Sequence, residues 1–409
     1  SEQVEEIKAA VPDIKAFVCI DGEGSIGQSL STFCEGHADH HEVGVEEPGQ
    51  LAAIFGTGGT TGKSKGVLMN HTALETFFQN YHAHFSYRED SVHLVVAPMT
   101  HTAGIMGCLH FPRGGRNVIC KDTDPLSIMQ AIEEHAVTHV FLPPTVLYMM
   151  LSHEKVANYD YKSLQHFMVG AAPTSLEKLK EACQVFGPCM TEAYGQTEAP
   201  AAITLKAPWD YMDADGNINE DRLRGIGRPA IFNQVKILDP DGHEMSRGKP
   251  GEICVAGKLV TSGYLDNPEA TAEAHRDGWL WTGDIGVMAE DGYIEIVDRR
   301  KDMIISGGFN VYPNEVEQVI TEIPVVQECA VIGVPDEKWG EAVKGVVQLK
   351  PGYELTESEV IAYVKNKLGS VKAPKTIDFV DELPKSPVGK VLKTDLRDRY
   401  WTHMNKAVN

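Results

Sequence analysis

Residues 57–66 read TGGTTGKSKG, a run of glycines and hydroxyls with lysines at Lys63 and Lys65. Glycine removes the Cβ that would keep backbone N–H groups from turning toward an oxyanion. Threonine and serine add donors and lysine adds charge, all of which suits a polyphosphate. Gly62, Lys63 and Ser64 match the end of the Walker A pattern G-x-x-x-x-G-K-[ST], but its first glycine falls on Thr57, so that match fails by one residue. Read alone, the run supports phosphate binding over a flexible Gly/Thr loop and names no reaction. YGQTE at 194–198 brings together a ring, a glycine, a hydroxyl and a carboxylate, enough to stack on a base and to hold magnesium through oxygen. WTGD at 281–284 ends in an acid after a glycine turn, suited to accept from a ribose diol. DRRKDMIISGGFNVYPNEVE at 298–317 joins a basic cluster to a Gly-Gly turn, and PKSPVGK at 384–390 offers a lysine on a Pro/Gly loop. Singly, each has an ordinary structural reading: a core tyrosine, a turn aspartate, a solvated charged face, an exposed terminal lysine.

The elements that must position these residues follow from apolar periodicity. LAAIF at 51–55 and VLMNH at 67–71 flank the glycine-rich run, and a helix is expected over 72–81. Short β-type runs at 93–97, 117–120, 139–142 and 166–169 alternate with helix-length segments. One of these, 125–135, carries Leu126, Ile128, Met129 and Ile132 at helical spacing. That alternation predicts a largely parallel α/β sheet. From about residue 224 the texture turns to strand and turn, with VKILD, a Pro-Asp-Gly turn at 240–242, GEICVAG and GYIEIVD, which predicts a small barrel or antiparallel sheet. The last hundred or so residues predict a helix from Pro313, strands at 329–334 and 342–348, and a helix over 356–368. Thr356 and Glu359 have capping-box spacing, with Leu355 and Val360 placed as a hydrophobic staple.

Composition narrows the function classes. The 409 residues allow two or three domains at roughly 150 residues each, and 42% hydrophobic with 23% charged residues is ordinary globular usage. With 37 basic against 58 acidic residues the net charge is −21, which disfavours nucleic acid and anionic lipid as partners. The eight cysteines form no C-x-x-C pair and no zinc spacing, so they read as reduced thiols of a cytoplasmic protein. No apolar run reaches the roughly 18 residues of a membrane span, and the first ten residues lack a signal-peptide core. His37, Asp39, His40 and His41 cluster among polar, loop-like neighbours and read as a solvated loop rather than a metal site.

In this order and at these separations, the motifs resemble the adenylate-forming superfamily of acyl-CoA synthetases, adenylation domains of peptide synthetases and beetle luciferases, over residues 50–397. The resemblance implies an α/β fold: a large N-terminal domain of parallel α/β sheets with a β-rich subdomain, spanning 1–300, then a small mobile α+β C-terminal domain, 301–409. It implies that Thr57, Gly59, Thr60, Thr61, Gly62 and Lys65 handle the β- and γ-phosphates of ATP, with Ser64 and Gly58 standing where proline and serine are usual. Gly170, Ala171 and Ala172 match the small-residue segment beside adenine, and Tyr194 the adenine-stacking ring, with Gly195 and Thr197 in the same motif. Glu198, with Thr60, corresponds to the magnesium site, Asp284 to the ribose acid and Arg299 to a second ribose contact. Lys301 falls at the hinge, Gly307 and Gly308 on the coenzyme A side, Lys390 at the lysine that reaches the carboxylate and α-phosphate, and His101 between acyl pocket and nucleotide.

KDMIISGGFNVYPNEVE resembles the acyl-CoA synthetase branch more than peptide-synthetase adenylation domains, which carry an Arg-Gly and Ile-Glu version. The expected activity is AMP-forming ligation of a carboxylic acid to coenzyme A, using ATP and Mg²⁺, with a homodimer admitted. The acid is expected to be hydrophobic (fatty, aryl or alicyclic), because 102–108 (TAGIMGC) is small and apolar. The alternatives are an adenylation domain serving a carrier protein and a non-catalytic nucleotide-binding protein. A P-loop NTPase with Asp239 as magnesium ligand is the rival from another class. Family members carry on the order of a hundred more residues ahead of the phosphate loop, close to a small domain. Because Ser1 is not an initiator methionine, a truncated N-terminus is expected.

Overall fold

The computed structural model describes residues 2–20, 27–35, 47, 49–57, 65–100, 102–170, 174–213, 215–385 and 391–401. Two units are compact in themselves, residues 1–47 and 48–409. The first holds helices Glu2–Ala10 and Leu30–Cys34, the latter capped by Ser29, and a parallel pairing of Val18–Cys19 with Gln28–Ser29.

In the second unit, strands Val92–Val95, His139–Leu142 and His166–Val169 are buried at every position, as strands covered by helices on both faces must be. They lie within a seven-stranded sheet ordered Arg228–Pro229, Ala199–Lys206, Met190–Gln196, His166–Val169, His139–Leu142, Val92–Val95, Arg116–Ile119. The five strands from Met190–Gln196 onward are mutually parallel, and the first two pair antiparallel. Helix Pro125–Glu134 starts where the sequence predicts. Asp124 accepts from Ser127 N at 3.0 Å, proline occupies the first turn, and Ile128, Met129 and Ile132 face the core. The helix expected over 72–81 runs His71–His84, because Asn70 caps it by accepting from Ala73 N at 2.7 Å.

The strand-rich stretch after residue 224 is an antiparallel five-stranded sheet, not a closed barrel: Asn233–Leu238, Gly251–Gly257, Trp279–Met288, His275–Arg276, and Ile294–Arg299 on the third of these. A small cluster of its own, Leu238, Cys254 and Trp281 with Trp279 packed against them, covers one part of it, but its main core is shared with the seven-stranded sheet. Phe77, Tyr81, Met168, Tyr194 and Ile203 share one buried cluster with Ile237, Ile253, Val255, Leu280 and Ile294.

The C-terminal sheet, Phe309–Val311, Ile304–Ser306, Gly340–Leu349 and Val326–Asp336 with Thr376–Val380 added in parallel, packs helices Pro313–Thr321 and Glu357–Lys372 over a cluster drawn from residues 304–377. The capping box is present: Thr356 N donates to Glu359 Oε2 at 2.8 Å and Glu359 N to Thr356 Oγ1 at 3.4 Å. The helix expected to stop at 368 continues to Lys372 through a kink at Gly369, whose φ of 81° is not helical. Where this lobe meets strand Ile294–Arg299, Asn314 at the start of helix Pro313–Thr321 donates its N–H to Asp298 Oδ2 at 2.7 Å and its Nδ2 to the Val297 carbonyl at 3.5 Å. Within the lobe, Arg397 donates to the Lys301 carbonyl at 3.2 Å and pairs with Asp302 at 2.9 Å. Burial raises the Asp298 carboxyl to about 6.

One face of the seven-stranded sheet carries a histidine ladder. His93, His139 and His166 stand in register on neighbouring strands, with ring centroids of His139 and His166 4.9 Å apart. His110 stacks on His93 at 5.0 Å and meets His139 edge-on at 4.7 Å. Burial pushes His93 and His166 down to about 4, His110 to about 3 and His139 to about 2, so the ladder is neutral at pH 7. With the folded values below the unfolded 6.5, the unfolded chain binds more protons, so stability is complete above pH 6.5 and falls as pH drops toward 4. By this linkage each such histidine weakens the fold by about 2 kcal/mol at pH 5 relative to neutrality. Urea midpoints of the wild type and His139→Asn at pH 7 and pH 5 should show a shallower fall in the variant; identical falls would exclude the ladder as the cause.

Candidate functional site

The WTGD segment gets its geometry from a bulge. Cys254 pairs with Trp281 and Glu252 with Ile285, so the three residues 282–284 face the single Ile253 and leave the regular alternation. Gly283 accommodates the bulge at φ 74°, its N–H donates to Glu252 Oε1 at 2.8 Å, and Thr282 Oγ1 donates to the Ile253 carbonyl at 2.7 Å. Asp284 is thereby turned toward the neighbouring sheet. Its Oδ2 accepts from the Tyr194 hydroxyl at 2.7 Å and its Oδ1 pairs with Arg299 Nε at 3.2 Å, from the residue opposite it across the strands. Burial and the adjacent Asp284 charge raise the Tyr194 hydroxyl well above its usual value, which keeps it a donor. Three residues from three sequence motifs form one network.

The YGQTE segment runs from the end of strand Met190–Gln196 into the turn, Thr197 and Glu198, of its hairpin with Ala199–Lys206. The second strand bulges between Ala199 and Thr204, and the bulge folds over Gly195. A Cβ there would lie 2.4 Å from Ala201 N and 2.7 Å from the Ala199 carbonyl oxygen, so only glycine fits. Beneath the hairpin, buried Lys206 binds Glu192 at 3.0 Å, and the Tyr211 hydroxyl donates to the same carboxylate at 2.6 Å.

Residues 57–65 connect antiparallel strands Leu51–Gly56 and Gly66–Asn70, closed by Thr57 N donating to the Lys65 carbonyl at 2.9 Å. This removes the P-loop NTPase reading, which needs a strand followed by a helix. Asp239, its candidate magnesium ligand, instead accepts from Asp241 N and His243 N of its own turn. Strand Gly66–Asn70 also pairs with 262–265, which carries Tyr264. The Tyr264 hydroxyl donates to Glu198 Oε1 at 2.6 Å while Lys65 Nζ lies over its ring, 4.7 Å from the centroid.

Glu198 offers a hard oxygen ligand, suited to magnesium. Among the described residues the one group of three clustered metal-binding side chains is Asp239, Asp241 and His243.

Of the sequence-predicted residues, Tyr194, Asp284 and Arg299 meet directly, and Glu198 and Lys65 meet through Tyr264. Gly170 follows strand His166–Val169, and Thr197 lies in the hairpin turn. Lys301 sits in the turn Arg300–Asp302, its ammonium held below the usual lysine value by burial. Gly307 and Gly308, at φ 59° and 83°, form the two-residue turn between Ile304–Ser306 and Phe309–Val311, and this turn packs on Trp339 of its own sheet rather than on the Asp284 network. Gly59, Thr60, Thr61, Gly62, His101, Ala171, Ala172 and Lys390 lie outside the described residues, as does the cluster at 37–41. All eight cysteines are unpaired, as expected. Sequence reasoning missed Tyr264 and Glu252. Glu252 left a signal, an acid inside the apolar strand GEICVAG, where it is buried and also binds Arg300 at 3.2 Å. Tyr264 left little, being one aromatic in a turn-rich stretch.

The packing at Gly195 predicts that Gly195→Ala destabilises the fold by roughly 1–3 kcal/mol, the usual penalty for overpacking. Chemical denaturation measures it, and an unchanged midpoint would contradict the packing.

A family model described as AMP-binding enzyme matches residues 1–265, and one described as AMP-binding enzyme C-terminal domain matches residues 315–390. A medium/long-chain-fatty-acid–CoA ligase of Mycobacterium tuberculosis, FadD8, is 39% identical over 368 residues, covering 88% of this chain and 63% of the relative. The chain thus spans under two thirds of that protein's length. A feruloyl-CoA synthase from Amycolatopsis sp is 37% identical over 361 residues, covering 88% of this chain and 71% of the relative. The solved structure of ATP-bound MatB from Rhodopseudomonas palustris superposes with a TM-score of 0.84 at 32% identity, over 91% of this chain and 73% of that one. No helix among the described residues is long and apolar enough to cross a membrane.

Proposed function

The chain belongs to the AMP-binding enzyme family, and from that premise we propose that it is an AMP-forming ligase joining a hydrophobic carboxylic acid to coenzyme A. The observation that carries the reading is the Tyr194–Asp284–Arg299 network, which gathers a ring, a diol acceptor and a cation beside the hairpin bearing Glu198. In this reading adenine stacks on Tyr194 beside Gly170, Ala171 and Ala172. A carboxylate has about four acceptor positions, so Asp284 retains room for the ribose hydroxyls while holding Tyr194 and Arg299. Thr57, Gly59, Thr60, Thr61, Gly62 and Lys65 bind the β- and γ-phosphates.

In the first half-reaction a carboxylate oxygen attacks the α-phosphorus and the bond to the β-phosphate oxygen breaks, giving an acyl-adenylate and pyrophosphate. Both reactants are anions, so the Lys390 ammonium, placed toward carboxylate and α-phosphate, offsets the repulsion that grows at the transition state. Glu198, with Thr60, would hold a magnesium ion, which would supply further neutralisation of phosphate charge. In the second half-reaction the thiol sulfur of coenzyme A attacks the acyl carbonyl, the bond to AMP breaks, and the thiol proton passes to solvent. For this the C-terminal domain, 301–409, turns about Lys301, withdraws Lys390 and presents Gly307 and Gly308 to the thiol path. The apolar character of the acid is supported by helix Thr102–Cys108, whose Ala103 and Met106 share a buried cluster with Tyr194. In this reading His101 would act between the acyl pocket and the nucleotide. Cytoplasmic residence and a homodimer belong to the same proposal.

Pyrophosphate and AMP release from ATP and Mg²⁺, across fatty, aryl and alicyclic acids with and without coenzyme A, tests the reading. Acid-dependent release that falls at least about a hundredfold in Lys390→Ala is the expected result, and release of ADP would refute it. Lys301→Pro should spare adenylate formation and impair thioester formation; equal loss in both would remove the hinge.

A further inference from the structure

Tyr264 stands between two opposite charges that an adenylating site must keep apart. Lys65 closes the phosphate-loop hairpin, and Glu198 stands on the turn of the neighbouring hairpin. The tyrosine offers a different part of itself to each: its ring face to the Lys65 ammonium, at 4.7 Å, and its hydroxyl to Glu198 Oε1, at 2.6 Å. A π face attracts a cation, and a phenol donates to a carboxylate, so both contacts are favourable without any net charge on the residue between them. Burial and the neighbouring Glu198 raise the Tyr264 hydroxyl above its usual value, so it remains a donor throughout the physiological range.

The backbone around Tyr264 makes the arrangement stiff. Leu68 N donates to the Gly263 carbonyl at 2.8 Å, Ser262 N to the Leu68 carbonyl at 3.0 Å and Leu265 N to the Gly66 carbonyl at 2.8 Å, so the segment moves with the strand that follows Lys65. Thr261 N donates to the Glu198 carbonyl at 3.0 Å, and Tyr264 N donates to Thr271 Oγ1 at 2.9 Å, which ties the same segment to the Glu198 turn and to helix Pro268–Ala274. Without the ring, the flexible Lys65 side chain is free to close on Glu198 as a direct ion pair. That pair would occupy both the phosphate-binding cation and the metal-binding carboxylate.

We propose that Tyr264 is a positioning residue that holds Lys65 and Glu198 apart and aims one at the triphosphate and the other at its divalent cation. The inference rests on the adenylating reading for the roles of those two side chains.

The test uses the full chain, Tyr264→Phe and Tyr264→Leu, with Mn²⁺ and α,β-methylene-ATP as probes, free Mn²⁺ being read by electron paramagnetic resonance. Phenylalanine keeps the ring and loses the donor, so nucleotide-dependent Mn²⁺ binding should weaken about tenfold while metal-free nucleotide binding holds. Leucine loses both contacts, so Mn²⁺ binding should weaken about a hundredfold, metal-free nucleotide binding should weaken too, and KM for ATP should rise more than kcat falls. Adding Glu198→Gln to the leucine variant should restore metal-free nucleotide binding, because Lys65 is no longer captured. Variants that bind Mn²⁺ like the wild type, a phenylalanine variant as impaired as leucine in metal-free binding, or a wild type with no nucleotide-dependent Mn²⁺ binding would each overturn the proposal. A wild type that binds Mn²⁺ with the analogue, yet releases no pyrophosphate with any acid, would overturn the ligase reading and leave the positioning role to be judged from the binding data.

Discussion

The Asp284 carboxylate joins two sheets that have no strand in common. It belongs to the five-stranded antiparallel sheet, accepts from Tyr194 on the seven-stranded sheet, and pairs with Arg299 one strand away. A buried acid in such a place must have its lone pairs satisfied, and removing either partner leaves an under-compensated charge. The bulge at 282–284, the left-handed Gly283 and the Glu252 contact beneath it all serve to deliver that one side chain. The mutual position of ring, acid and guanidinium thus depends on a local irregularity in one strand, supported from below by another buried acid.

In the proposed ligase, the segment 57–65 differs from phosphate sites set at a helix N-terminus, because it joins two antiparallel strands. On that reading, attraction for a triphosphate would rest on the lysines and hydroxyls of the sequence TGGTTGKSKG. Glu198, proposed to share a cation with the phosphates, would have to do so without neutralising Lys65.

Much of this was legible in the sequence where a local rule and the tertiary structure agree. The strands at 139–142 and 166–169, the proline-led helix from Pro125 and the Thr356–Glu359 box lie where apolar period and capping chemistry put them. Boundaries shifted where a side chain outside the periodic run took over, as Asn70 did in starting its helix early, or where a glycine broke the helix without ending it, as at Gly369. The candidate site was legible as motifs but not as contacts. Nothing in YGQTE and WTGD says that Tyr194 donates to Asp284, because that bond depends on how two sheets pack. Tyr264 was invisible for a related reason: its role comes from a strand pairing with residues almost two hundred positions earlier in the chain, and its own neighbourhood reads as turn.

The two seams of the molecule differ in chemistry. The two large sheets close over a common apolar cluster, whereas the C-terminal lobe keeps its apolar residues to itself and meets strand Ile294–Arg299 through the hydrogen bonds of Asn314 to Asp298 and Val297. Prising the first seam open would wet hydrocarbon, a cost that rises with every ångström of separation. Prising the second exchanges hydrogen bonds within the protein for hydrogen bonds to water, nearly an even trade. Thermal agitation should therefore find the second seam far sooner than the first, so the fold has one weld and one latch.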